Sequence, residues 1–500
     1  MYLLIAGALF MAANPLIGSN VIAYPIIGGM LMILYHYARD RYLTSAGAFT
    51  FMYLLFFLIR PLYITLEGDL YLFRKLFRIS PEVPDIHAAW WWSAVGLWCF
   101  AIGATVARAK FFPRRVDFRS SRTGDHPLVS TGFTRFLIFA QALSIVVLHW
   151  LTGGGRAYTA NWGAYVYDFP MLMQAGHIFT VVVIWERVLV NRRDMNWRLA
   201  MGVSGLLFLA YTFEMRHVSD FRGFWLTGIM VAGIAGLSRL YGRVRYRYLV
   251  LPVIILLPIF RFLGEVRGAR NDYVKDRLSE EAWDLTSPDS YWRFFDSNGD
   301  MNIFDTYVAA INYEPRHHPY LLSWLYVPVH MVPRKLWEDK PEKGLLVDHA
   351  FDRGAPYSPG IIGYFYLDGG KLWMLGSMFA LGAAVTYADS RVLKLRDSYF
   401  KYCCYAILVI NAMYLTRFIL YQYFWQSLYM IVPCYVAQRV INGGRSLKTM
   451  ARIAREREAE SLAAEPQALA PSQPTASTAS TQPTAHQKPP QKPTLKPTTR

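Results

Sequence analysis

The sequence predicts an all-α polytopic membrane protein with about 12 transmembrane helices, and three observations predict it. Of its 500 residues, 54% are hydrophobic and 16% aromatic, and the mean hydropathy is +0.20. Those residues are gathered into long runs such as "FTFMYLLFFLI" (Phe49–Ile59) and "FTVVVIWERVLV" (Phe179–Val190). A window of roughly 18 or more mostly apolar residues is long enough to cross a bilayer as a helix. Finally, the charges between runs alternate in kind from one loop to the next.

Taken in order, the first two windows are 2–17 and 20–37. The first begins at Met1 with no basic flank and no small-residue cleavage site, so it reads as a retained helix. Windows 43–65, 89–107, 134–151 and 170–188 follow, then 198–214, 222–238 and 248–264. The last three are 361–387, 402–416 and 418–438. Pro25 and Pro61 fall inside two of them, where membrane helices tolerate a kink.

The loops orient the chain. Loops 38–42, 108–125, 187–198, 239–247 and 389–401 together hold 20 Lys/Arg against 6 Asp/Glu. The long loop of the opposite set, 265–360, holds 11 basic and 16 acidic residues. Short basic loops stay in the cytoplasm during insertion, so an even number of helices puts both termini there. The same rule accounts for most of the net charge of +17. There is no zinc spacing and no basic helical stripe, which argues against nucleic acid as a partner.

Domain organisation follows. Residues 1–440 form the transmembrane domain, with a cap loop, 265–360, inserted between the ninth and tenth helices. Residues 441–462 are a basic juxtamembrane segment. Residues 463–500, rich in Pro, Thr, Ala and Ser, lack the apolar residues to fold and are expected to be a disordered cytoplasmic tail. A loop near a hundred residues is uncommon unless functional. It contains "DSYWRFFDSNGDMNIFDTYVAAINY", of near-helical spacing, and "YLLSWLYVPVHMV", apolar but too short to span. Both suggest a partly helical cap on the outer membrane surface.

The cysteines, Cys99, Cys403, Cys404 and Cys434, all lie in apolar runs and lack metal or redox spacing. Outward arginines are the main chemical signal: Arg216 and Arg222 around a short outer turn, Arg267 and Arg270 after the ninth helix, and Arg316, Arg334 (with Lys335) and Arg353 in the long loop. A guanidinium fork matches phosphate oxygens, so the set points to an anionic ligand such as a lipid pyrophosphate. Neighbouring acids, Asp220, Glu265 and Asp352 among them, compete as partners. Arg60, Glu186, Glu214 and Arg261 lie in or beside apolar runs, where ionisable groups are costly; Arg60 and Glu186 could equally snorkel to an interface. Glu214, near Arg216 and Asp220, is the best-placed carboxylate for a general base. The outer histidines His217, His317, His318, His330 and His349 have no chelating spacing, and no metal is expected. The triple glycine Gly153–Gly155 lacks the Lys-Ser/Thr of a phosphate loop, and the aromatic residues after it suit sugar stacking or interfacial anchoring equally.

Four stretches carry a family resemblance: "RGARNDY" after a helix, "VPRKLWEDKPEKG", "SPGIIGYFYLDGGKLWMLGSMFALG" and "VSDFRGFWL". With the helix layout, they make residues 1–440 resemble bacterial oligosaccharide repeat-unit polymerases, the Wzy-type O-antigen and exopolysaccharide polymerases. The resemblance implies a glycosyltransferase of the bacterial inner membrane. Its substrates would be undecaprenyl-pyrophosphate-linked oligosaccharides, polymerised on the periplasmic side without metal or cofactor, and its protein partner a polysaccharide chain-length regulator. Arg216, Arg222, Arg267, Arg270, Arg316, Arg334, Lys335 and Arg353 would then bind the lipid pyrophosphate, and Glu214, Asp220 or His330 would take the acceptor proton. The paired Arg-x10-Gly pattern of some members is missing from the outer loops, so the resemblance leaves the catalytic assignment open. An O-antigen ligase shares this architecture and donor; a polysaccharide transporter or flippase is the alternative that is not an enzyme.

Overall fold

The computed structural model describes residues 43–67, 81–112, 131–152, 168–190, 195–218, 222–241, 303–313, 322–329, 332, 337, 358–395, 398–417 and 420–442. All belong to a unit spanning Met1–Ser446; a second unit, Leu447–Arg500, lies outside the described residues. Among the described residues every regular element is helical. In chain order they are α1 (Ser45–Leu54), a π-helical segment (Leu55–Ile59), α2 (Arg60–Glu67), α3 (Val83–Phe111), α4 (Thr131–Thr152), α5 (Asp168–Val190), α6 (Met195–Val218) and α7 (Arg222–Tyr241). Then come α8 (Ile303–Tyr313), α9 (Leu322–Val329), α10 (Gly360–Leu393), α11 (Tyr399–Leu415) and α12 (Leu420–Ile441). A helix occupies each expected window from 43–65 to 222–238 and from 361–387 onward; windows 2–17, 20–37 and 248–264 lie outside the described residues. Three stretches, Ser45–Ile64, Val83–Phe111 and Thr131–Trp150, are long and apolar enough to cross a membrane.

Pro61 explains the break in the first of these. It has no N–H to give the carbonyl four residues back, and that carbonyl is Phe57, inside the π segment. The Trp90 indole of α3 donates to it instead, at 2.8 Å. Such a bulge needs an outside donor when water is excluded. Phe49 stacks on Phe100 at 4.3 Å between ring centres, and Tyr53 O–H donates to the Ser93 carbonyl. Positions 49, 53 and 57 thus meet 100, 93 and 90, so α1 and α3 run antiparallel.

Glycine sets the closest contact. A Cβ on Gly103 of α3 would lie 2.0 Å from the Phe379 carbonyl oxygen of α10, and one on Gly382 of α10 would lie 2.1 Å from that of Phe100. Phe111 meets Tyr387 at 5.0 Å. The two helices are therefore parallel, in backbone contact.

The remaining pairings share one logic. Asp389, near the end of α10, accepts from Ser45 N and Ser45 Oγ at the start of α1. Arg239 at the end of α7 bonds Glu186 near the end of α5 and stacks on Tyr399 and Tyr402 at the start of α11. Gln438, late in α12, accepts from Phe400 N. Each of these residues lies in or next to a sequence-basic loop, or late in the last helix, and they associate with one another. Among the described residues these helix ends therefore gather at one end of the bundle.

The segment 303–313, expected within a partly helical cap, is helical and packs against the bundle. As α8 it is buried from Ile303 to Ile311, in the same core as α1, α3 and α10. α9 is half-buried, with Ser323 and Tyr326 inward and Leu325 exposed.

Candidate functional site

Two polar regions stand out in this apolar bundle. The first surrounds α8. Arg60, placed at the first position of α2 by the π break, is fully buried and grips Asp305 of α8 with two bonds of 3.0 Å, from Nε and Nη2. Its guanidinium lies 5.5 Å from the Tyr63 ring. Arg60 thus does not snorkel: it ties α8 into the core. The last turn of α8 is tied to the bundle as well, one of its carbonyls capped from α10 and its Asn312 bonded to α3. Tyr366 O–H donates to the Ile311 carbonyl at 3.1 Å, and Asn312 Nδ2 donates to that of Asp85 at 2.9 Å. Helix ends buried from water need such partners.

Beside it α10 is broken. Gly369 and Gly370 leave helical geometry, Gly370 at φ 75°, a left-handed value that favours glycine. Just before the break, buried Asp368 accepts from Ser323 N, in the first turn of α9, at 2.9 Å. The Ser323 side chain and the Trp373 ring lie beside the same carboxylate. Trp324 stacks on Phe365 at 5.9 Å and donates to Ser377 Oγ. A second left-handed glycine, Gly360, begins α10; a Cβ there would lie 2.7 Å from the Thr416 carbonyl oxygen and 2.9 Å from Ile303. The stretch from Ser358 to Gly382 is therefore a glycine-hinged helix to which both α8 and α9 attach.

The second region lies between α4, α5 and α6. Glu214 Oε1 is 3.4 Å from His149 Nδ1 of α4. The histidine is exposed and the carboxylate one-fifth exposed, and Glu214 Oε2 has no hydrogen-bond partner. A carboxylate orienting an accessible imidazole is a general-base arrangement. Deeper in, Ser204 Oγ donates to Gln141 Oε1 at 2.8 Å, and Gln141 Nε2 meets His177 Nδ1 at 3.2 Å. His177 Nε2 meets Ser144 Oγ at 2.6 Å, and that hydroxyl donates to the Gln141 carbonyl. The chain of donors is consistent only if His177 carries its proton on Nε2. His177 also stacks on Tyr211 at 4.3 Å. It is a neutral, committed structural residue rather than a base.

Of the residues expected at the site, Glu214 pairs with His149, a partner its sequence neighbourhood does not reveal. Arg216 lies on the last turn of α6 and Arg222 opens α7, so they stand at the facing ends of consecutive helices. Asp220, His330, Arg267, Arg270, Arg316, Arg334, Lys335 and Arg353 lie outside the described residues, as does Arg261. Helix α12 links the two regions: Tyr429 packs on the cluster of Leu148, Met171, Tyr211 and Met215, and Trp425, next to it, donates to the Val327 carbonyl of α9. No group of three or more His, Cys, Asp or Glu comes together among the described residues, and all four cysteines are free thiols.

These features define a helical protein with spans fit for a membrane and polar groups concentrated where its long loop enters the core. No family model matches the chain, and neither a curated protein nor a solved structure matches it.

Proposed function

We propose that the chain is a membrane glycosyltransferase that polymerises undecaprenyl-pyrophosphate-linked oligosaccharide repeat units into O-antigen or exopolysaccharide on the periplasmic side of a bacterial inner membrane. The observation that carries this reading is the insertion of the long loop into the bundle. A loop that only joined two spans would need neither a bidentate buried ion pair to α2 nor a contact with a glycine-broken helix. The resemblance of the loop and of α10 to repeat-unit polymerases points the same way.

In this reading twelve spans put both termini in the cytoplasm, and the helix ends gathered at one end of the bundle support it. An acceptor sugar hydroxyl attacks the anomeric carbon of the donor chain. Its C–O bond forms as the bond to the lipid pyrophosphate breaks, and the pyrophosphate leaves with the electron pair. The hydroxyl proton passes to Glu214 or to His149 held beside it. Outer arginines, from Arg216 and Arg222 to Arg267, Arg270, Arg316, Arg334 and Arg353, with Lys335, neutralise the leaving group. Asp220 and His330 remain alternative bases. The pyrophosphate supplies the driving force, so no cofactor enters, and a chain-length regulator is the protein partner implied.

The break at Gly369–Gly370 favours one further reading, a transporter, because interrupted helices often form transport sites. Purified protein in vesicles with lipid-linked repeat units separates the two. A polymerase makes a ladder of chains, and Glu214→Gln slows it by about 10²-fold or more. Units moved across the vesicle wall without elongation would establish the transporter. Wild-type rates in Glu214→Gln would remove Glu214 from the mechanism.

A further inference from the structure

We propose that Asp368, at the break in α10, and the hydroxyl of Ser323 in α9 bind a monovalent alkali cation. The inference does not rest on the polymerase reading, because it concerns the interrupted helix and not the pair of Glu214 and His149.

The site holds a carboxylate with two open oxygen groups and no opposing charge. Asp368 is 0% exposed. Its Oδ2 accepts from Ser323 N at 2.9 Å, while its Oδ1 is buried and makes no hydrogen bond. The Ser323 hydroxyl, beside the same carboxylate, is also buried without a partner. Among the described residues no cation pairs with Asp368. The buried Arg60 grips Asp305, and Lys371, just past the break, sets its ammonium 4.8 Å from the Trp92 ring. The Trp373 ring, a further neighbour of the carboxylate, carries no charge. An ionised carboxylate held out of water without a counter-charge is strongly unfavourable. The backbone adds to this: Asp368 closes the first half of α10, just before Gly369 and Gly370 leave helical geometry, and the carbonyl end of a helix is itself partly negative.

The chemistry selects the ion. Carboxylate and hydroxyl oxygens are hard donors, suited to alkali and alkaline-earth ions. A divalent ion draws on further carboxylates or phosphates, and Asp305, the other buried acid of this region, is already held by Arg60. One carboxylate offsets one positive charge, so the ion is monovalent. A neutral ligand such as a sugar hydroxyl would occupy the open groups but leave the charge standing. Interrupted membrane helices form cation sites of this kind, with the carbonyl end of a half-helix turned to the ion. The two ligands are also held in register. Trp324, next to Ser323, stacks on Phe365 before the break and donates to Ser377 Oγ beyond it, at 3.2 Å, so α9 is fixed to both halves of α10.

The test uses full-length protein in a neutral detergent, with thermal unfolding followed as sodium or potassium chloride replaces choline chloride at constant ionic strength and pH. An alkali ion is expected to raise the melting temperature of the wild type saturably. Ser323→Ala keeps the backbone bond to Asp368 and removes a hydroxyl that bonds nothing. It is therefore expected to fold, with half-saturation moved about tenfold higher. Asp368→Asn keeps an acceptor for Ser323 N. It is expected to lose the alkali-ion response and, in choline, to melt no lower than the wild type, because the uncompensated charge is gone. A carboxylate that serves packing alone predicts the reverse, a lower melting temperature for Asp368→Asn in every salt, and that result would overturn the site. Equal wild-type midpoints in all three salts would overturn it too, as would an alkali-ion response that Asp368→Asn retains. A midpoint that climbs as the pH falls but ignores the alkali ions would mean that Asp368 carries a proton instead, which overturns the cation assignment.

Discussion

Asp305→Asn isolates the bond that holds the long loop in the bundle. Asn keeps the volume of Asp, so packing from Ile303 to Ile311 is preserved, and what is lost is the negative charge opposite Arg60. Both partners are fully buried, and the contact is bidentate at 3.0 Å. Removing one member of such a pair leaves a buried charge uncompensated, at a cost of about 3–5 kcal/mol. That corresponds to a roughly 10²- to 10⁴-fold fall in the folded-to-unfolded ratio. Replacing both groups, Arg60→Met with Asp305→Leu, removes the orphaned charge and is expected to recover most of the loss, because desolvation offsets much of a buried pair's attraction. The protein carries its own probe: Cys403, Cys404 and Cys434 are buried, so a thiol-reactive dye reports unfolding during a thermal ramp. Asp305→Asn with a wild-type midpoint would refute the pairing. A double variant as unstable as the single one would refute the electrostatic account of it.

Three further outcomes follow from the packing. Gly103→Ala puts a methyl 2.0 Å from a backbone carbonyl of α10; it is expected to cost about 1–3 kcal/mol or more and to lower the yield of monodisperse protein, whereas Gly376→Ala, with open space around it, is expected to gain up to about 1 kcal/mol. His177→Leu strands the Gln141 amide and Ser144 and is expected to cost about 1–3 kcal/mol in the same dye assay, with Glu186→Gln leaving the His177 network untouched. For topology, a cysteine at Trp150 is expected to react with an impermeant maleimide on intact cells, and one at Met195 only after lysis. Both native side chains are exposed, and the buried native thiols give low background.

The positions of the helices among the described residues were legible because they rest on local properties. An apolar window and a basic loop announce themselves within about twenty residues. Insertion of α8 was not legible. "IFDTYVAAINY" is too short to span and carries an acid in its first turn, so it reads as part of a cap, not of the core. Its Asp305 pairs with Arg60, 245 positions away, and no local pattern links the two. Pro61 was visible as a helix breaker, but the Trp90 indole that repairs its damage was not. The site divides in the same way. Glu214 was recognisable as a carboxylate beside an outer turn; His149, on another helix, becomes its partner only through the parallel packing of α4 and α6. Glu186 stood out as an ionisable group in an apolar run, but its partner Arg239, 53 positions on, did not.

The most direct test of the central claim is deletion of the gene in its host, with surface and lipid-linked glycans separated on a gel. The account predicts loss of the ladder while single repeat units still reach the surface or cap the core lipid, with the ladder restored by the intact gene. Long chains that persist on undecaprenyl pyrophosphate would instead indicate a ligase, and units held on the cytoplasmic leaflet a flippase; either result would contradict the polymerase assignment.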